Sequence, residues 1–207
     1  MYAIVESGSI TKTFNNPRKL VVNDIRYSTK IYSLWSVAEK KAIGLYEVEY
    51  DNTNKKDEAW YINTNQTLAY DSSADTVTAS YGTATARAIA DSLWTQQDSD
   101  DGDLPSDKEV GDVKVEGLKT FKKRMIDLQC AGILQPSDWM VIRAKETGAT
   151  FNAGWKTWRA SVRTKCNSMQ DQIDGAANVD ALAALFTYTE QEDKSVTRPL
   201  GEFPIKE

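Results

Sequence analysis

The sequence predicts an α+β fold: a small N-terminal antiparallel β domain with one short helix, then a C-terminal helical domain. Two observations carry this reading. The first eighty or so residues alternate short apolar runs with turn signals and are rich in Thr, Tyr and Val, residues that suit a pleated surface. From about residue 116 the apolar positions recur at steps of three and four, the helical period. Between them lies DSDDGDLPSDKEVGD, residues 98–112, an acidic stretch with a proline and two glycines that reads as an exposed loop. The expected organisation is a β-rich domain at 1–82, a connecting helix at 83–97, an acidic linker at 98–115, a helical domain at 116–187 and an extended arm at 188–207.

The elements follow in order. Residues 2–6 form an apolar run, Ser7-Gly8 is a turn signal, and 9–14 alternate, so a hairpin opens the chain. Asn15, Asn16 and Pro17 break it, and 20–27 and 30–34 read as further extended segments. Ser36 with Glu39 three residues on is a capping box, predicting a short helix over 36–42 with an exit at Gly44. Strands are expected at 45–50, 60–64, 68–71 and 76–81. Residues 83–96 hold Ala86, Ile89, Ala90, Leu93 and Trp94 at helical spacing. Leu118, Phe121, Met125 and Leu128 give a further apolar stripe, widened by Ile126 and Ile133 and ending at Gly132. Ser137 is placed as the N-cap of a helix running to about Glu146, with Asp138 at its positive end and Gly148 as its stop. Trp155, Trp158, Val162, Cys166, Met169 and Ile173 step by 3, 4, 4, 3 and 4, one face of the longest helix. Asn178 or Asp180 caps a last helix with Leu182, Leu185 and Phe186.

Composition narrows the function. The 207 residues are 41% hydrophobic and 27% charged, with a net charge of −5 and basic residues interleaved with acids, so no basic stripe for nucleic acid is expected. No apolar run approaches the ~18–20 residues of a membrane span, and no signal peptide is expected. Cys130 and Cys166 read as buried free thiols of a reducing compartment, a disulfide between them being the alternative. There is no histidine, which removes the commonest general base, zinc ligand and partner of a nucleophilic serine.

Several residues invite a chemical reading. Ser137 beside Asp138 suggests a nucleophile with an acid, but a helix cap explains both. Arg159 and Arg163, one turn apart, suit a phosphate or a partner carboxylate, or else internal pairing with Asp138, Glu146 or Asp127. The acidic loop fails the calcium-loop pattern, because Gly102 and Asp103 fall out of register when Asp98 is the first position. Trp60, on a tyrosine-rich strand, is the interface candidate among the six tryptophans, while Trp155 and Trp158 read as core.

One set of short motifs goes further. Leu134, Ser137-Asp138-Trp139, Trp155, Trp158-Arg159 and Val162-Arg163 make the pattern SDW…WxxWRxxVR, which resembles the C-terminal pattern of phage tail fibre assembly proteins and tail assembly chaperones. Those proteins more often carry tyrosine at Trp158 and leucine at Val162. The opening MYAIVESGSITK, the stretch IYSLWSVAEKKAIGLYEV and the closing RPLGEFP also resemble tail-associated proteins, several from marine and cyanobacterial phages. The resemblance implies a non-enzymatic virion protein of the tail, baseplate or fibre-attachment region, made in the host cytoplasm. Its partners would be other tail, baseplate or fibre proteins in a multi-subunit assembly, with no nucleic acid, membrane, cofactor, metal or catalytic residue. Trp60, Arg159, Arg163, Arg198 and Phe203 are the residues expected at partner contacts, the last two in an arm suited to exchange. A chaperone that leaves before the virion matures is the alternative. A carboxylate-based or metal-dependent enzyme is a third class. A glycan hydrolase would need two carboxylates ~5–10 Å apart, and the sequence offers no apolar setting to raise the pKa of one.

Overall fold

A computed structural model describes residues 1–206 and has the α+β fold. The chain divides into two compact units, Met1–Thr85 and Ala86–Glu207.

The first unit is built on a five-stranded sheet in the order β2-β1-β5-β8-β7. Strand β1 (Tyr2–Glu6) turns through Ser7 and Gly8, both at positive φ, into β2 (Ser9–Phe14). Glu6 pairs with Ser9, so this is the two-residue hairpin the sequence predicts. Residues 20–27 fold as a second tight hairpin, β3 (Leu20–Val22) and β4 (Ile25–Tyr27), because Asn23 and Asp24 both take positive φ. The extended segment expected at 30–34 is instead a helical turn, α1 (Ile31–Leu34), which buries Ile31 and Tyr32. Helix α2 (Val37–Ala42) starts on the predicted capping box: the Ser36 hydroxyl accepts from the Glu39 amide, and the Glu39 carboxylate accepts from the Ser36 amide at 2.8 Å. The Ser36 hydroxyl, which also donates to that carboxylate at 2.7 Å, and then the Ser36 amide hold the Glu39 carboxyl below its usual pKa. Gly44 has φ +76°, and a Cβ there would lie 2.4 Å from the Val5 carbonyl oxygen, so only glycine fits the turn into β5 (Leu45–Asp51).

The sheet is mixed, in contrast to the antiparallel domain that the sequence predicts. β5 and β8 (Thr76–Tyr81) run parallel, while the β1–β2, β1–β5 and β7–β8 pairs are antiparallel. The hairpin of β7 (Gln66–Asp71) with β8 enters with β8 on the inside, which sets β8 in the direction of β5. Only β6 (Tyr61–Ile62) forms where a strand over 60–64 is expected. Period-two alternation gives the sheet two apolar faces. Ile4 and Leu45 pack with Phe14, Leu20, Val22, Ile31 and Tyr32 on one side, and Ala3, Tyr46, Val48, Val77 and Ala79 cluster on the other.

In the second unit the helix expected over 83–97 is absent. The segment is extended, with β9 (Thr85–Ala86) and β10 (Ser92–Leu93), and only α3 (Gln96–Asp100) is helical at its end. Its backbone serves another helix. The carbonyls of Ala88 and Ile89 accept from the amides of Leu118 and Lys119. The Asp91 carboxylate accepts from the Gly117 amide at 2.7 Å and the Thr120 hydroxyl at 2.9 Å. These are the unpaired donors that open α4 (Leu118–Leu134), so the segment works as its cap only when extended. The acidic loop is tied at both ends, with β11 (Val113–Val115) paired to β10 and the Asp98 carboxylate taken by Lys114 and Thr95. Lys114, foremost, and Thr95 keep Asp98 far below the usual carboxylate range.

Helix α4 continues past Gly132 and packs against α6 (Ala153–Gly175). Its fully buried positions are Ile126 and Cys130, whereas Phe121, Met125 and Leu128 of the expected core stripe are 40%, 39% and 60% exposed. Both stripes obey the helical period, and the position of α6 decides between them. Cys130 and Cys166 are buried free thiols on the two facing helices. Burial, then the neighbouring Cys130, pushes the Cys166 thiol up to about 12. Little thiolate therefore exists near neutral pH. Iodoacetamide at pH 7.5 should leave both thiols of the native chain unmodified and label both after unfolding in urea, as read by intact mass; rapid native labelling would contradict the burial.

The last helix, α7 (Val179–Phe186), is capped by Asn178, whose side chain accepts from the Ala181 amide. Residues 188–206 are not an extended arm. Strands β12 (Thr189–Glu190) and β13 (Val196–Thr197) pair as a hairpin, and the chain then returns onto the helices.

Candidate functional site

The motif segments SDW, WxxWR and RPLGEFP meet in the second unit. Pro136 enters a 3-10 turn at Gln135–Ser137, which leads straight into α5 (Asp138–Thr147). Ser137 is therefore not a cap by its side chain: its hydroxyl donates to the Leu134 carbonyl at 2.8 Å, and the residue is 1% exposed. Arg159 is buried and reaches the same place. Its Nη1 donates to the Leu134 carbonyl at 2.8 Å and to the Ser137 hydroxyl, and its Nη2 donates to Asp138 Oδ1 at 2.6 Å. Of the expected alternatives for Arg159, internal pairing with Asp138 is the arrangement present.

Arg159 occupies this position because the buried line of α6 runs Arg159, Val162, Cys166, Met169, Ile173, at steps of 3, 4, 3 and 4. Trp155 and Trp158 lie beside that line, half-buried, with ring centroids 5.4 Å apart in an edge contact. They support the C-terminal segment. Trp158 Nε1 donates to the Pro204 carbonyl at 3.0 Å, Lys165 Nζ donates to the Leu200 carbonyl at 2.7 Å, and the Leu200 amide donates to the Leu185 carbonyl. Leu200 is 0% exposed. Arg198 is used locally, donating to the Gly201 carbonyl and pairing with Glu202 at 2.8 Å.

The residues expected at partner contacts thus separate. Arg159 is fully engaged inside the unit, Trp60 is buried in the first unit, and Arg198 and the half-buried Phe203 belong to the folded C-terminal segment. Trp60 and Arg159 are buried, at 9% and 8% exposure, against the expectation of partner contacts. Arg163 alone of the five is exposed, and among the described residues its guanidinium has no ion-pair partner. No group of His, Cys, Asp and Glu able to hold a metal ion occurs among the described residues.

A surface that the sequence analysis did not single out lies on α5. None of its ten residues is buried, and Trp139, Val141 and Ile142 are 54%, 40% and 56% exposed. Between α5 and the following segment runs a groove of about 300 Å3, lined by Trp139, Met140, Arg143, Ala144, Phe151 and Asn152. The signal was present, since DWMVIRAKET carries four large apolar residues in a row, but the SDW motif drew attention to the helix start.

The first unit holds one polar cluster of note. Asp75, at φ +52°, accepts from the Tyr46 hydroxyl at 2.7 Å and the Tyr70 hydroxyl at 3.0 Å and pairs with Lys41 at 3.2 Å. Tyr46, foremost, holds the Asp75 carboxyl below its usual pKa, and burial leads in raising that of Tyr46. Every member is satisfied by another, so the cluster pins the β7–β8 turn to α2 and β5.

Comparison with known proteins returns no match: no protein-family model, no curated protein and no solved structure matches this chain. No helix among the described residues is long and apolar enough to cross a membrane.

Proposed function

We propose that this chain is a non-enzymatic structural protein of a phage virion, placed in the tail, baseplate or fibre-attachment region and working through protein–protein contacts. The observation that carries the reading is α5, a ten-residue helix with no buried residue and a half-exposed tryptophan. Isolated helices of this length are marginal in water, and exposed tryptophan is the residue type that anchors interfaces. The groups open to a catalytic reading support the same view. Ser137, Asp138 and Arg159 complete one another's hydrogen bonds around the Leu134 carbonyl, which leaves no activated nucleophile. The resemblance of the SDW…WxxWRxxVR and RPLGEFP segments to tail proteins adds the phage setting. Their packing on one another gives a structural reason for the three to occur together.

Mass spectrometry of purified virions tests the assignment. The protein is expected in mature particles at a fixed ratio to other tail proteins. Its presence in infected cells but not in virions would replace this reading with that of an assembly chaperone.

A further inference from the structure

The groove beside α5 carries one basic side chain on its lining. Arg143 lines it and makes no ion pair among the described residues. The same chain carries a segment of opposite character. In the acidic loop, Asp103, Asp107 and Glu109 have no ion-pair partner among the described residues, and Val110 beside them is 48% exposed.

Val110 stands on a turn that the fold holds fixed. The Asp112 carboxylate accepts from the Glu109 amide at 2.9 Å, the Asp112 amide donates to the Glu109 carbonyl at 3.0 Å, and Gly111 sits at φ +98°. The turn is locked to β10's end by two further bonds, Gly111 amide to Trp94 carbonyl and Trp94 amide to Asp112 carbonyl, both 2.8 Å. An apolar knob with acids on a rigid turn therefore matches an apolar groove with arginine at its edge. A preformed knob loses little entropy on docking.

We propose that copies of this chain associate head-to-tail, the turn at 109–112 of one copy seating Val110 in the Trp139–Phe151 groove of the next. Glu109 and Asp107 then face Arg143. The two patches differ, so the contact is heterologous and propagates into a ring or an open chain. This proposal rests on the reading of the protein as a contact-forming component and names its partner.

Sedimentation velocity on the full chain, over a concentration series at low and high salt, tests it. The mean sedimentation coefficient is expected to rise with concentration and to fall with added salt as the rim charges are screened. Arg143→Glu and Glu109→Lys should each weaken association at least about tenfold, and both in one chain should restore it. Val110→Asp should weaken it with no rescue by either charge change. All three positions are exposed, so each variant should melt at the wild-type temperature, which separates lost contact from lost fold. A monomer at every concentration, association that survives either single reversal, or a double reversal that stays monomeric would each overturn the proposal. Self-association of a protein missing from virions would sink the virion assignment alone; a virion component that stays monomeric would sink this one alone.

Discussion

Leu200→Ala is expected to destabilise the C-terminal unit by about 2–5 kcal/mol, the usual cost of deleting a buried leucine and leaving a cavity. Leu200 is fully buried although it sits seven residues from the chain end, in a stretch where Ile205 is 88% exposed. Its backbone is held as firmly as its side chain. The amide donates to Leu185 at 3.1 Å and the carbonyl accepts from Lys165 at 2.7 Å. Four residues later the Pro204 carbonyl accepts from Trp158, so the segment is fastened across both α6 and α7. Shortening the side chain removes the fully buried apolar anchor of this strap. Urea unfolding followed by tryptophan fluorescence is the measurement. The free energy should fall by the stated amount, and Ile205→Ala should stay within about 0.5 kcal/mol of wild type. If the two variants behave alike, the segment is a free arm after all and the folded strap is wrong.

How much of this was legible in the sequence depends on where the deciding partner lies. Local devices read correctly. The Ser7-Gly8 hairpin and the Ser36/Glu39 capping box are written within four residues and are present. The strand at Thr76–Tyr81 and the long helix α6 also appear where alternation and helical spacing put them. Distant decisions did not read. Residues 83–96 have a helical pattern, but their carbonyls and Asp91 close the start of α4 about thirty residues on, and that role needs an extended chain. On α4 two apolar stripes compete, and only the packing of α6 selects Ile126 and Cys130 over Phe121, Met125 and Leu128. The terminal RPLGEFP looked like an arm because its prolines and glycine break regular structure. Nothing local says that Leu200 has a pocket.

The candidate site shows the same limit. Arg159 and Arg163 are one helical turn apart and looked equivalent, yet one is buried and the other exposed. The line Arg159, Val162, Cys166, Met169, Ile173 is as regular as the line that begins at Trp155, and an arginine is not ordinarily sought in a buried stripe. Its acceptors lie more than twenty residues upstream, in the 3-10 turn made by Pro136. The exposed apolar surface on α5 is hidden in the sequence for the converse reason: an apolar run on a short helix reads as core until the fold leaves it uncovered.

The two arginines supply the second large prediction. Arg159→Ala removes the donor to the Leu134 carbonyl at 2.8 Å and to the Ser137 hydroxyl, and it opens a gap where the buried stem packed. The ion pair with Asp138 counts for little, because that carboxylate is 51% exposed and screened by water. Ser137 and Leu134 still satisfy each other, so the loss is chiefly that of charged hydrogen bonds inside the unit. A destabilisation of about 2–3 kcal/mol is expected. Arg159→Lys should recover part of it, since one ammonium cannot reach all three acceptors in the fork geometry. Arg163→Ala should change stability by no more than about 0.5 kcal/mol. Chemical denaturation of the three variants separates the roles. Equal effects at both positions would mean that Arg159 does not join the Gln135–Ser137 turn to α6. The expected ranking would instead fix Arg159 as the link that holds the start of α5, and so its exposed apolar face, in place.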